Sequence, residues 1–275
     1  MIEGLHPLVR DILIKRGYDS AAATEAFLYP NYDEQLHDPF LMKDMKPAVD
    51  RILEAVEKKQ NIVIYGDYDI DGITATTVMI ETIANLGHVA RSYIPDRFEE
   101  GYGINQDALE KLQAENVDLV ITVDCGITSV KEVAWAMANG LDIIVTDHHS
   151  VPAVTPEAIA VINPKQSDCE YPFKDLAGVG VAFKLAQALQ IASSKPEKGH
   201  EKWLLDVVAL GTVCDVVTLV GENRVLASFG LKVLNKTRRV GIRALAEVSG
   251  VGMGQITSYT LGFMFGPRMN AAGRL

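Results

Sequence analysis

Short apolar runs that stop abruptly at carboxylates, with helix-like stretches between them, constrain this chain more than any other feature. Ile62–Tyr65, Val89–Ile94, Leu119–Val123 and Leu141–Thr146 are near-continuous apolar runs, and Ala158–Ile162 is a shorter fifth. Between them lie Ile73–Leu86, ended by Gly87, then a stretch from about Gln106 to Glu115 with Asn105 as N-cap, and one capped by Thr128 or Ser129 that runs to Ala138. Strands without polar alternation, each followed by a helix, predict an α/β fold: a mainly parallel sheet flanked by helices on both faces. Beyond residue 175 the pattern turns largely helical, over Ala182–Ala192, Trp203–Asp215, Arg224–Leu234 and Ile242–Ser249. Residues 1–60 form a helical extension, with Leu8, Ile12 and Leu13, and again Val49, Ile52, Leu53 and Val56, at helical spacing around an irregular Asn31–Pro47.

Composition excludes several classes. The 275 residues are 48% hydrophobic and 23% charged, enough for a sizeable core of one or two domains. No apolar run approaches the ~18 residues of a membrane span, and the N-terminus lacks a signal-peptide pattern. Three scattered cysteines, Cys125, Cys169 and Cys214, make no disulfide framework, so a cytoplasmic setting with no membrane is expected. The formal charge of −10 argues against a broadly basic nucleic-acid surface, although clustered metal-binding carboxylates inflate that count and leave room for a local basic groove.

The chemistry concentrates at strand ends. Asp67, Asp69 and Asp71 follow the first strand on alternate positions, Asp124 follows the third, and Asp147-His148-His149 follows the fourth. In open α/β sheets ligands bind beyond the carboxyl ends of the strands, so these groups are expected to converge. Like charges that close are unfavourable unless cations hold them, which predicts a divalent-metal centre. A calcium loop fails, because the twelfth position counted from Asp67 is Val78 and the entering element is a strand. A haloacid-dehalogenase-type phosphatase fits the Asp-x-Asp pair but has no use for adjacent histidines. Carboxylates with imidazole favour Mn²⁺ or Mg²⁺, and so acidic a site suits two ions activating water for phosphoester or phosphoanhydride hydrolysis.

Four segments, Gly66-Asp-Tyr-Asp-Ile-Asp-Gly72, Val123-Asp-Cys-Gly126, Asp147-His-His149 and Gly211-Thr-Val-Cys-Asp215, resemble the successive motifs of the DHH phosphoesterase superfamily. Arg97-Phe-Glu-Glu-Gly-Tyr-Gly103, Leu176-Ala-Gly-Val-Gly180 and Gly266-Pro-Arg-Met-Asn-Ala-Ala-Gly-Arg274 narrow it to the RecJ single-strand DNA exonucleases, over about residue 45 to the last. The resemblance implies 5′→3′ hydrolysis of single-stranded DNA in repair and recombination. Asp69 would hold one metal and Asp71 the other, Asp124 and Asp215 would bridge or flank them, and His148 would complete the coordination of the second metal. His149 would contact the scissile phosphate or support the water, so His149 and Asp124 are the catalytic candidates. Asp67 and Asp147 would support from behind, Tyr65 stands where some relatives carry a histidine ligand, and Arg268, Asn270 and Arg274 would grip the substrate backbone.

The implied layout is a helical extension (1–60), a DHH catalytic domain (61–220) and a helical connector (221–275). The chain stops inside what reads as a motif, so a longer protein with further C-terminal domains is expected, with single-strand-binding protein or a helicase as partners. An oligonucleotide or cyclic-dinucleotide phosphodiesterase, a pyrophosphatase, and a non-catalytic replication scaffold of the same fold are the alternatives. Several residues stay open: Asp215 as ligand or helix cap, the His148/His149 pair as ligands or a satisfied loop, Cys125 and Cys214 as small buried thiols, the run Lys232, Lys236, Arg238, Arg239, Arg243 as DNA contact or solvated helix face, and Phe98 and Tyr102 as base-stacking or loop-anchoring rings.

Overall fold

The computed structural model describes residues 4–272. Four helices, α1 (Pro7–Lys15), α2 (Ala21–Leu28), α3 (Tyr32–Gln35) and α4 (Met45–Glu57), precede the sheet. The stretch expected to be irregular thus holds a short helix, a 3₁₀ turn at Pro39–Leu41 and the start of α4. Pro47 sits in the first turn of α4, where its missing N–H leaves no bond unmade. The sheet and its crossovers follow as β1 (Ile62–Gly66), α5 (Ile70–Asn85), β2 (Ala90–Tyr93), α6 (Gln106–Ala114), β3 (Leu119–Val123), α7 (Val130–Ala138), β4 (Asp142–Thr146) and β5 (Ala160–Ile162). The helical remainder comprises α8 (Gly178–Ser193), α9 (Leu205–Cys214), α10 (Gly221–Leu234), α11 (Val240–Val248), a π-helical turn at Thr260–Phe265 and α12 (Gly266–Ala272).

All five strands are parallel, in the order β2-β1-β3-β4-β5. Period-two alternation sends Ile62, Ile64, Ile121 and Ile144 into a large core with α4, α5, α8, α9 and α10. Val63, Tyr65, Val120, Ile143 and Val145 enter a smaller core with α6 and α7 on the other face. Both faces of β1, β3, β4 and β5 are covered, which is why these strands read as near-continuous apolar runs, while the edge strand β2 exposes Arg91 and Ser92. The larger core runs unbroken from α4 to α10, so the extension and the connector pack into the same body as the sheet.

Register sets the site. Gly66 pairs with Val123, and Val123 with Thr146. Asp67, Asp124 and Asp147, each one residue further on, therefore leave the sheet at the same level. The chain runs from β1 to β2 on one side and returns to β3 on the other, so the crevice above β1 and β3 is a topological switch point.

Two helix starts lie earlier than the periodicity predicts. Helix α5 begins at Ile70, not Ile73, because Asp69 caps it and brings Asp71 into the first turn. Helix α8 begins at Gly178, ahead of the expected Ala182, since glycines that read as breakers are required there by close packing. The Trp203–Asp215 stretch divides into a 3₁₀ turn, His200–Leu204, and α9, which leaves Asp215 as the C-cap.

A buried ion pair ties α8 to α10. Lys184 Nζ lies 2.7 Å from Glu222 Oε1, with side-chain exposures of 0% and 1%. Tyr171 Oη (2.6 Å) and the His37 amide (2.9 Å) also donate to Glu222, and Lys184 donates to the His37 carbonyl. Lys184→Met, which strands the Glu222 charge, is expected to cost about 3–5 kcal/mol in urea unfolding. Lys184→Met/Glu222→Leu should recover only part of that, because Tyr171 and His37 lose their acceptor; full stability in the single variant would contradict this account.

Candidate metal centre

The loop after β1 and the start of α5 are built by hydrogen bonds from Asp69. One oxygen, Oδ1, accepts from the amides of Asp71 (2.9 Å) and Gly72 (3.1 Å), while its backbone carbonyl accepts from Ile73 (2.9 Å). Capping occupies one carboxylate oxygen and leaves the other for a ligand. Asp71, wholly buried, is held by the N-terminus of α8: Gly178 N donates to Oδ2 at 2.7 Å and Val179 N to Oδ1 at 2.9 Å. Each carboxylate oxygen has a second lone pair, so this clamp orients Asp71 without exhausting it.

Glycine is required where the elements meet. A Cβ on Gly178 would stand 2.4 Å from Asp124 Oδ1, and one on Gly211 of α9 would stand 2.2 Å from Thr74 Oγ1 and 3.0 Å from Asp71 Oδ1. Asp124 adopts a left-handed φ of 61°, which Asp tolerates better than most residues. The exposed Val216 after Asp215 has φ 63°, a strained value for a β-branched side chain beside the site.

Both histidines are oriented through Nδ1. His148 Nδ1 lies 3.0 Å from the Leu176 carbonyl, which accepts only, so Nδ1 carries the proton and Nε2 presents its lone pair in the neutral ring. That Nε2 lies 3.1 Å from Asp124 Oδ1 and 3.8 Å from Asp71 Oδ2 and Asp215 Oδ2. His149 Nδ1 donates to Asp147 Oδ1 at 2.7 Å. Asp147 also accepts from the amides of Ile127, His148 and His149, so it orients the loop and one imidazole from behind. The carboxyl of Asp147 is buried, which pushes its pKa up, yet the His149 hydrogen bond and these amides hold it below its ordinary value.

The donors fall into overlapping sets: Asp67, Asp69 and Asp124; Asp71, His148 and Asp215; and Asp124, His148 and His149, with the ligand atoms of each set within 4.8 Å of one another. The structure thus brings together every residue named from the sequence as a ligand. It also places Asp67, expected as a support, in one set of possible donors with Asp69 and Asp124. Asp67 Oδ1, Asp124 Oδ1 and His148 Nε2 are buried without hydrogen-bond partners. Among the described residues no Lys or Arg forms an ion pair with Asp67, Asp69, Asp71, Asp124 or Asp215. Acceptors aimed at one another in a buried site, with no protein cation between them, fit divalent ions, and oxygens with one imidazole suit Mn²⁺ or Mg²⁺.

The remaining candidates separate. Tyr65 faces the smaller core, where its hydroxyl donates to the Gly103 carbonyl and accepts from Asn105 Nδ2, anchoring the 97–105 loop. Asn270 Oδ1 accepts from the Ile70 amide at 3.0 Å, and exposed Arg268 donates to the Met264 carbonyl in the π-helical turn just before α12. Arg274 lies outside the described residues. Tyr102, half-exposed, stands edge-on to His149, and Arg97 lies over the Tyr68 ring beside it. In the basic run, Arg239 is an internal latch between Glu81 and Asp206 about 15 Å along α5 from Asp71, not a free cation. A cleft of about 750 Å³ beside Tyr32, His37 and Glu201 contains none of the clustered donors, so chemistry and not volume locates the site. Sequence reasoning missed the Gly178 and Val179 amides and the Leu176 carbonyl; the glycines of Leu176–Gly180 were their signal.

Residues 61–212 match the DHH family, N-terminal domain. The chain belongs to the DHH family. It is 46% identical over 277 residues to the single-stranded-DNA-specific exonuclease RecJ of Bacillus subtilis, covering all of this chain and 34% of that protein. Against RecJ of Escherichia coli the identity is 38%, over 98% of this chain and 48% of that protein. The structure of Thermus thermophilus RecJ in complex with Mn²⁺ superposes with a TM-score of 0.74 and 31% identity, covering 98% of this chain and 40% of that one. An exonuclease RecJ bound to manganese gives 0.76 and 35%, covering 85% and 58%. This DHH chain therefore spans about a third to a half of the length of these curated relatives. Among its described residues no helix is long and apolar enough to cross a membrane.

Two predictions follow from the packing and charge of the DHH site. Gly178→Ala should displace Asp124 and abolish tight Mn²⁺ binding in calorimetric titration while leaving the far-ultraviolet spectrum intact; wild-type affinity would refute the close-approach account. The second concerns pH. Burial, reinforced by Asp69, raises the Asp67 carboxyl to about 6, and burial with neighbouring carboxylates raises Asp71 and Asp124 further above the ordinary range. A raised folded-state pKa gives stability that is full below the unfolded value near 4 and is lost as pH rises through the folded value, about 6 for Asp67. The metal-free chain is thus penalised at neutral pH, and a cation bound to the ionised carboxylates removes that penalty. The Mn²⁺-induced rise in melting temperature should be small near about pH 5 and larger near about pH 7.5; a pH-independent rise would exclude the buried carboxylates as the binding groups.

Proposed function

We propose that this chain is the catalytic core of a single-strand-specific DNA exonuclease that hydrolyses phosphodiester bonds with two divalent ions. The observation that carries the reading is the paired donor sets, Asp67/Asp69/Asp124 and Asp71/His148/Asp215, with buried acceptors left unpartnered. Two Mn²⁺ or Mg²⁺ ions, when bound, would lower the pKa of a water and stabilise charge on the phosphoryl oxygens. Asp124 belongs to the first set, and its Oδ1 lies 3.1 Å from His148 Nε2 of the second. Asp69 and Asp71 are fixed by backbone amides, so the donors need little reorganisation. His149, held by Asp147 and with its pKa raised by that hydrogen bond, has Nε2 on the half-exposed side, where the protonated ring would offer a proton or hydrogen bond to the scissile phosphate. Tyr102 and Tyr68, with Arg97, provide ring faces and a cation along the approach to His149, suited to an unstacked base and its phosphate. The similarity to proteins named single-stranded-DNA-specific exonucleases supports single-stranded DNA as substrate, and the motif resemblance goes with 5′→3′ direction and a role in repair and recombination. A single-strand-binding protein or a helicase, which controls access to free strand, is the partner class that goes with that substrate. Within the continuous core, 61–220 would supply the chemistry, 1–60 would brace it, and 221–275 would carry residues toward the substrate.

The test is digestion of 5′- and 3′-labelled single strands, duplexes and dinucleotides with Mn²⁺ or Mg²⁺. Mononucleotides should appear first from the 5′ end of single strands, and Asp124→Ala should reduce the rate to that of chelator-treated protein. Equal cleavage of dinucleotides and long strands would shift the reading to a short-oligonucleotide phosphodiesterase, and metal-independent cleavage would overturn it.

A further inference from the structure

The four amides that open α5 are all accounted for, and one of them is satisfied from the far end of the chain. The Asp71 and Gly72 amides go to Asp69 Oδ1, and the Ile73 amide goes to the Asp69 carbonyl. The Ile70 amide, between the two donors Asp69 and Asp71, goes to Asn270 Oδ1 at 3.0 Å across 200 residues of sequence. Ile70 is 2% exposed, so an unpartnered N–H there would be poorly hydrated. The bond also fixes the plane of the Asp69–Ile70 peptide, and with it the direction in which the Asp69 carboxylate leaves the backbone.

Asn270 is itself held against a second ligand-bearing element. The turn before α12 docks on the end of α9, where Cys214 Sγ donates to the Leu261 carbonyl at 3.3 Å. A Cβ on Gly266 would lie 2.9 Å from that sulfur, so the two segments are in close contact. Asp215 is the next residue after Cys214 and caps α9. The segment 260–270 thus touches the start of α5, which carries Asp69 and Asp71, and the end of α9, which carries Asp215.

We propose that Asn270 is a positioning residue for the metal centre: through the Ile70 amide it sets the geometry of Asp69 and Asp71, and the segment that carries it clasps these to Asp215. This rests on the metal-centre reading but replaces the substrate-gripping role that resemblance implied for Asn270. A substrate contact would leave Mn²⁺ affinity untouched in the absence of DNA, whereas a positioning residue would not.

Mn²⁺ titration by calorimetry of the 275-residue chain without nucleic acid separates the two. Asn270→Ala should weaken Mn²⁺ on the order of tenfold to 100-fold, as removal of supporting partners around a metal does elsewhere. Asn270→Asp, which keeps the acceptor oxygen, should restore binding, and Arg268→Ala, exposed and bonded only to the carbonyl four residues earlier, should leave it unchanged. Parental affinity in Asn270→Ala, or failure of Asn270→Asp to restore binding, overturns the proposal. Should Asn270→Ala fail to fold, hydrogen exchange in the unaltered chain decides: the Ile70 amide is protected if Asn270 caps it, and fast exchange overturns the clasp. A parent chain that binds no Mn²⁺ would sink the metal-centre reading instead, and Ile70 protection would then judge the clasp by itself.

Discussion

The clamp of the α8 N-terminus on Asp71 is the contact on which the rest of the site depends. A carboxylate with no exposure, next to the buried Asp124 and near Asp215, is a severe electrostatic burden. Two unit charges about 4 Å apart repel by about 4 kcal/mol at an effective dielectric of 20, and removing each from water costs several more. The Gly178 and Val179 amides answer Asp71 with two charge-assisted hydrogen bonds and the positive end of a sixteen-residue helix. They can do so only because α8 starts with a glycine whose α-carbon lies against Asp124. What the clamp leaves unneutralised is shared among Asp67, Asp69, Asp124 and Asp215, and a divalent cation is the group that resolves it.

Much of this was legible in the sequence because it is local. The apolar runs fixed the strands, and the carboxylates that end them, Asp67, Asp124 and Asp147, fall at one level because the parallel register is even. His148 and His149 follow directly. What was not legible comes from long separations. The partner of Asp71 is 107 residues away in a Leu-Ala-Gly-Val-Gly stretch that local propensity marks as a break, and the Ile70 amide finds its acceptor 200 residues on. Asp215 was ambiguous for a physical reason: it is both the cap of α9 and a member of a donor set. Arg239 misled in the other direction. A basic run suggests a solvated or DNA-facing surface, yet burial against α5 and α9 turned its guanidinium into an internal ion-pair hub.

The pattern of exposure gives the site a direction. Asp71, Asp124, Asp67 and His148 are at most 7% exposed, and they are backed by α5, α8 and α9. The side chain of His149 is 46% exposed, and Tyr102 beside it is 53% exposed, on a loop that Tyr65 pins from beneath. The donors are therefore rigid and enclosed while the neighbouring imidazole is accessible. The accessible edge of the cluster is the one that carries His149 and the 97–105 loop. Asp147 keeps that edge ordered, because its bonds to three amides and to Nδ1 hold an exposed imidazole in one orientation. An unbraced surface histidine would sample several rotamers, and each would point Nε2 at a different place. The carboxyl edge of the sheet that presents a candidate donor at Asp124 thus presents, one strand over at Asp147, the brace for the accessible imidazole.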